Sequence, residues 1–413
     1  MKKYFIIFVF IQIISIYFVT KLFFPGPTNY GIDIFFKKHL NLIENKNVGL
    51  LAIKSSTDKK GMHIVDLLLD SSVYNSLKIF APEHGFNSNF ANGEKIENSN
   101  YKNIDIISLY GSKRKPSNDD LKDLDVILID IQDIGSNYYT YISTVTYMMD
   151  AAAKHNISVI ILDRPNPLGM LVYGPIREKF GFIGMHPIPI RHGMTIGELS
   201  LMINEMGWLE GQKKVNDLKI IKMKKIPKKS QFYTWDPPSP NIPNKETAFI
   251  YNGMCLFEGT NISEGRGTTN PFRTIGAPWV NIDSIMKYID YLKKTKYGNK
   301  IIVKDIVFKP LNNKSSKNTK YEKQFCNGIY IEYLDESIEP IEFAIDLLDY
   351  FKGYEEFAFN EPFFDTLYGS SDLRLAINEN KNINKILNKI DEDVIKFKSL
   401  RKDYLLYKQK HKQ

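Results

Sequence analysis

Five short runs rich in isoleucine, leucine and valine, at residues 47–51, 77–81, 104–109, 125–130 and 158–163, constrain this chain more than any other feature. Runs of this length and composition are what strands covered on both faces look like. Between them, residues 143–155 carry the alanine, methionine and valine content of a helix. Residues 195–206 suit another, opened by a capping box at Thr195 and Glu198. The alternation predicts an α/β domain built on an open parallel sheet through about residue 210. In such a sheet the strand ends lie side by side, and ligands bind in the crevice beyond them. Polar clusters follow these runs and the segment PIPIRHG. Glu83, His84, Gln132, Asp133, Asp163, Arg164, Arg191 and His192 are therefore expected to converge on one polar, sugar-sized ligand.

At 413 residues the chain has room for more than one domain, and 43% hydrophobic with 25% charged residues is an ordinary globular balance. Lys2 and Lys3 precede an uncharged stretch at residues 4–20. As a helix that stretch spans roughly 25 Å, so residues 1–24 read as a signal sequence or an N-terminal membrane anchor. Either places the protein outside the cytoplasm, secreted or tethered to the bacterial cytoplasmic membrane. Residues 25–282 form the expected catalytic domain with insertions, and residues 283–413 a smaller α+β domain. Prolines 237, 238, 240 and 243 oppose a continuing helix in the middle region, where paired strands are expected around residues 207–225. The net charge of +8 is spread along the chain, which fits either an anionic surface or a lysine-rich proteome. No finger, helix-turn-helix or basic-aromatic stripe points to nucleic acid. Cys255 and Cys326 can form one bridge or remain two buried thiols. Oligomeric state is not legible.

Each polar residue has a chemical and a structural reading. Glu83, in APEHGF, can donate a proton to a glycosidic oxygen if its surroundings favour the acid form, or it can cap a backbone N–H. His84 can position Glu83, bind substrate, or serve as a hydrogen-bonded structural histidine. Asp133 can orient an acid, Gln132 can read a hydroxyl or amide, and Tyr139 can pack on a sugar face; strand-end capping and core packing are the alternatives. Arg164 and Arg191 can fork onto a carboxylate, or Asp163 and Arg164 can form an internal network. His192 is a further orienting candidate. In GTNISEGRGTTNPF, Asn261 and Arg266 offer directional contacts and Glu264 a second carboxylate, or the loop is a structural turn network. Neither a G-x-G-x-x-G turn nor a P-loop is present, and the histidines follow no zinc motif, so neither cofactor nor metal is expected.

Together, APEHGFNSNFANGEKI, DIQDIGSNYYTYISTVTYMMDAA, DRPNPLG, IPIRHGMTIGEL and GTNISEGRGTTNPFRTIGAPW resemble the bacterial YbbC/NamZ family of exo-β-N-acetylmuramidases, and FDTLYGSSDLR adds to the likeness. The resemblance implies a Rossmann-like domain with a smaller C-terminal domain and a cleft for terminal non-reducing N-acetylmuramic acid. It also implies a role in peptidoglycan turnover and wall recycling, with Glu83 as the acid and the neighbouring polar loops as substrate contacts. Arg164 or Arg191 would then meet the lactyl carboxylate of a muramyl saccharide. One departure stands out. The family commonly has a Thr-Asn pair after its first strand, where this chain has Ala52 and Ile53. That change keeps two alternatives open, a non-catalytic glycan-binding protein and an exo-glycosidase of altered specificity.

Overall fold

The computed structural model describes residues 29–91, 94, 96–224 and 236–407. The expected signal or anchor at residues 1–24 lies outside the described residues. The chain begins with helix α1 (Gly31–Lys38) and enters the sheet at β1 (Asn47–Ala52). It continues through α2 (Ile64–Ser71), β2 (Ser76–Ala81), β3 (Ser99–Tyr101), β4 (Ile104–Ser108), the short α3 (Asn118–Leu121) and β5 (Val126–Asp130). Helix α4 (Tyr141–His155) leads to β6 (Ser158–Leu162), a hairpin of β7 (Tyr173–Ile176) and β8 (Pro189–Arg191), α5 (Ile196–Glu205) and β9 (Leu218–Ile221). The principal sheet has seven strands in the order β3-β4-β2-β1-β5-β6-β9, all parallel except β3.

Side chains alternate across this sheet with period two, and both faces are apolar. Leu51, Phe80, Ile127, Ile129, Val159 and Ile161 feed one core, which α4 and α5 cover with Val145, Met148, Leu199 and Met202. Val48, Leu50, Ile79, Leu128 and Ile160 feed the other, covered by Ile32 and Phe35 of α1 and by Ile64 and Leu68 of α2. Burial on both sides explains why the strands read as continuous apolar runs. The result is a Rossmann-like three-layer arrangement. From β1 the chain winds outward through β2 to β4, then returns to the other side of β1 as β5. The crevice at that reversal, beyond the ends of β1, β2 and β5, is where such folds place ligands.

The five strands expected from the apolar runs all form, within a residue or two of their predicted ends. The capping box of α5 is present: Glu198 N donates to Thr195 Oγ1 at 3.1 Å, and Thr195 N donates to Glu198 Oε2 at 3.0 Å. The paired strands expected around residues 207–225 are instead one edge strand, β9, which adds in parallel to β6 with Ile220 opposite Ile161.

Helix α6 (Lys245–Met254), capped by Asn244, follows the proline-rich turn. A second, smaller sheet is antiparallel, in the order β10 (Thr274–Ala277), β12 (Cys326–Tyr333), β11 (Ile301–Phe308). Helix α7 (Ile282–Leu292) lies between β10 and β11 in sequence. Helices α8 (Pro340–Phe351), α9 (Glu361–Tyr368), α10 (Asp372–Asn378) and α11 (Ile383–Leu400) complete this α+β region. Its strand β10 precedes residue 283, so the sheet draws on residues to both sides of that position. Cys255 and Cys326 are buried free thiols.

Candidate active site

Glu83 owes its position to an abrupt end of β2. Pro82 supplies no N–H to continue the ladder, and the chain turns back with Gly85 N donating to Pro82 O at 3.0 Å. His84 and Gly85 both take left-handed backbone angles, φ 69° and 71°. A Cβ at Gly85 would also lie 2.9 Å from the Phe90 ring, so the turn needs glycine there. Glu83 is 8% exposed, and its Oε2 accepts a hydrogen bond from Thr140 Oγ1 at 2.5 Å. Thr140 occupies the N-cap of α4, yet its hydroxyl caps no helical N–H and is spent on the carboxylate instead. His84 Nδ1 lies 2.8 Å from Phe90 O. A carbonyl only accepts, so Nδ1 carries the proton and Nε2 of the neutral ring is an acceptor. Burial holds the ring's pKa below its ordinary value despite the adjacent Glu83, and Arg266 adds to the lowering.

A cavity of about 240 Å³ opens in front of Glu83, near the small end of ligand pockets, which run from roughly 300 Å³. Of the catalytic and binding candidates named from the sequence, Glu83, His84, Tyr139 and Arg266 line it. Tyr139 packs edge-to-face on Tyr141, with centroids 4.7 Å apart. Opposing charges gather at Arg266, whose Nε and Nη2 donate to Glu258 Oε1 at 2.9 and 2.6 Å while its guanidinium lies 4.9 Å above the Phe272 ring. Glu264 stands 3.7 Å from Arg266 Nε, and its Oε2 accepts from Lys320 Nζ at 2.9 Å.

The two carboxyls of this network diverge. Burial raises the Glu258 pKa; Arg266 pulls it down, Glu264 pushes it up, and the net direction is upward. Burial acts on Glu264 as well, but Lys320 and Arg266 outweigh it and hold the group below the ordinary range. Glu264 is thus the fixed anion and Glu258 the carboxyl more readily protonated. Arg266 Nη1 is buried without a hydrogen-bond partner among the described residues, a donor that a ligand oxygen would satisfy.

The other candidates frame the crevice without lining the cavity. Asp133 Oδ2 accepts from Gly135 N at 2.7 Å and lies 3.7 Å from His192 Nε2. His192 Nδ1 accepts from Met194 N at 3.2 Å. Gln132 Nε2 donates to the carbonyls of Asp133 and Pro165. Asp163 receives Gly197 N at 2.9 Å, Thr195 Oγ1 at 2.8 Å and Tyr407 OH at 2.5 Å, anchoring the start of α5; burial pushes its carboxyl up to about 6. Arg164 forks onto Asp130 at 2.5 and 2.8 Å, and Arg191 reaches both oxygens of Glu339 at 3.3 Å. Asn261 ties a turn to Glu356 O and Ala358 N. Ala52 and Ile53 are fully buried, and Ile53 N donates to Ser56 Oγ at 2.9 Å. The departure at those two positions therefore lies away from the cavity wall.

Sequence reasoning missed Thr140, Glu258, Tyr110 and Arg114, all of which line the cavity. The strand-end rule contained a signal for the last two, because SLYGSKR follows β4 as APEHGF follows β2. Glu258 lies just ahead of the glycine-rich loop and has no local mark.

The fold and site together define a Rossmann-like α/β protein with a carboxyl-bearing, part-aromatic cavity of monosaccharide scale. Family models for exo-β-N-acetylmuramidase NamZ match almost the whole of it, the N-terminal model over residues 48–246 and the C-terminal model over residues 249–407, and the chain belongs to this family. It is 31% identical over 390 residues to the peptidoglycan β-N-acetylmuramidase NamZ of Bacillus subtilis (strain 168), covering 91% of each chain. Two crystal structures of DUF1343 family proteins from Bacteroides fragilis NCTC 9343 are similar in fold. One has a TM-score of 0.80 at 29% identity, covering 92% of this chain and 99% of that one. The other has a TM-score of 0.74 at 32% identity, covering 93% and 100%.

Proposed function

We propose that this chain is an exo-β-N-acetylmuramidase that removes terminal non-reducing N-acetylmuramic acid from peptidoglycan-derived glycans, with Glu83 as general acid. The observation that carries the assignment is a nearly buried carboxyl, oriented by Thr140, on the wall of a sugar-sized cavity beyond the strand ends. Family membership supplies the substrate class.

In this reading Glu83 delivers its proton to the glycosidic oxygen as the bond to the anomeric carbon breaks. The departing sugar leaves as a neutral alcohol, and positive character on the anomeric carbon is met by carboxyl groups. Glu258 is the second carboxyl of the cavity. Arg266 engages its Oε1, and no partner among the described residues takes its Oε2, so in the ionised form of Glu258 that oxygen is assigned to take the proton of the water that adds to the anomeric carbon. Glu264 acts indirectly by holding Arg266, while Asp133 and His192 shape the turn beyond β5. We also place the enzyme outside the cytoplasm, a reading supported by the uncharged stretch after Lys2 and Lys3.

Incubation of the folded protein with N-acetylmuramyl-N-acetylglucosamine should release free N-acetylmuramic acid. Glu83→Gln should retain the circular dichroism and melting profile of the wild type while turnover falls about 100-fold or more. Near-normal turnover in that variant would remove Glu83 from the role.

A further inference from the structure

N-acetylmuramic acid differs from N-acetylglucosamine by a lactyl ether that ends in a carboxylate. A cavity that selects it needs a cation whose charge is not already taken. Arg164 and Arg191 are committed to Asp130 and Glu339, and neither lines the cavity. Arg266 does line it, but Glu258 and Glu264 already offset its charge, so its remaining N–H suits a neutral oxygen.

Arg114 is placed differently. It lies in the loop after β4, on the same cavity wall system as Glu83, and its side chain is exposed at the rim. No carboxylate among the described residues pairs with it. Its neighbours in the KRK run both have carboxylate partners, Lys113 in Asp120 at 2.5 Å and Lys115 in Glu210 at 2.9 Å, the latter shared with Lys154 at 2.7 Å. Arg114 is the member of that run with no carboxylate partner among the described residues. Its guanidinium lies 4.4 Å from the centre of the Phe182 ring. Phe182 is itself buried, stacked on Tyr147 at 5.9 Å and tilted against Tyr110 at 6.1 Å. A guanidinium held on an aromatic shelf keeps its N–H edges available, and two parallel N–H bonds are the geometry a carboxylate accepts.

We infer that Arg114 receives the lactyl carboxylate of the terminal N-acetylmuramic acid and is the specificity-determining residue of this cavity. The inference rests on the muramidase reading and names the residue behind its sugar preference.

The test compares kcat/KM of the wild type, Arg114→Gln and Arg114→Lys on N-acetylmuramyl-N-acetylglucosamine and on the same disaccharide with its lactyl carboxylate converted to the carboxamide. The wild type should prefer the acid by about tenfold or more. Arg114→Gln should lose about 10- to 100-fold on the acid, mainly through KM, and its acid-to-amide ratio should fall to near one. Arg114→Lys, which keeps the charge without the fork, should fall between them. An acid-to-amide ratio unchanged in Arg114→Gln, or a loss equal on both substrates, overturns the assignment. A wild type that cleaves neither disaccharide removes the muramidase reading, and calorimetric titration with the free sugars then decides Arg114 separately. Weaker binding of N-acetylmuramic acid but not of N-acetylglucosamine in Arg114→Gln sustains it; equal effects on the two sugars end it.

Discussion

At the scale of single residues, the contact between Thr140 and Glu83 carries the most consequence. In the proposed reading Glu83 must hold its proton toward one oxygen, and the short hydrogen bond from Thr140 at the start of α4 helps to fix the carboxyl's direction. Thr140→Val preserves the side-chain shape and deletes the donor. It should lower kcat about tenfold with little change in melting temperature, and Thr140→Ser should recover most of the loss. Equal kcat in the valine variant and the wild type would show that the hydroxyl does not orient the acid. The placement of Glu83 on the cavity wall was legible in the sequence because the residue follows an apolar run and stands two positions before a glycine that permits the turn. Arg164 and Arg191 carried the same mark for a different physical reason. A cation at a buried strand end needs an anion, and the partner of Arg191 is Glu339, distant in sequence and invisible to local reading. Arg114, flanked by Lys113 and Lys115, is indistinguishable in sequence from a member of a solvated basic run.

At the scale of elements, the start of α5 concentrates buried charge. Asp163 accepts from Gly197 N inside the first turn, and Glu198 closes the capping box that the sequence announced. Burial pushes Glu198 up to about 7, with the nearby Asp163 adding to the rise. A carboxyl whose folded pKa lies above its unfolded one contributes most below the unfolded value. That contribution is lost as pH climbs from about 4.5 through 7. Glu198→Gln keeps one acceptor oxygen and does not ionise. Relative to wild type, it should therefore gain on the order of 1–3 kcal/mol in unfolding free energy between pH 5 and pH 8. Denaturant titrations at the two values measure this, and a difference that stays constant with pH contradicts it. The strand content of this region was readable because parallel strands declare themselves by composition alone. The partners of β9 were not, since an edge strand of Leu218 to Ile221 reads equally well as half of a hairpin.

At the scale of the whole molecule, the C-terminal region is tied to the sheet domain by buried arginines. Arg191, beside the crevice, reaches Glu339 at the N-cap of α8, while Arg401 donates to the carbonyls of Met170, His192 and Gly193. Arg191→Met leaves Glu339 without its cation and should cost about 3–5 kcal/mol in unfolding free energy. Adding Glu339→Leu should return much of that loss, because the pair is then replaced by apolar contact. Additive losses in the double variant would show that the ion pair is not the tie. Folding of this kind is hard to read from sequence, since it depends on partners more than a hundred residues apart.

The two matched family regions abut within α6, between residues 246 and 249. Glu83, His84 and Arg114 come from the first, and Glu258, Arg266 and Lys320 from the second. In the proposed reading, the acid and the charged groups facing it thus come from different halves of the chain. On that reading, replacing either segment with a foreign one would remove half of the residues that meet in the cavity.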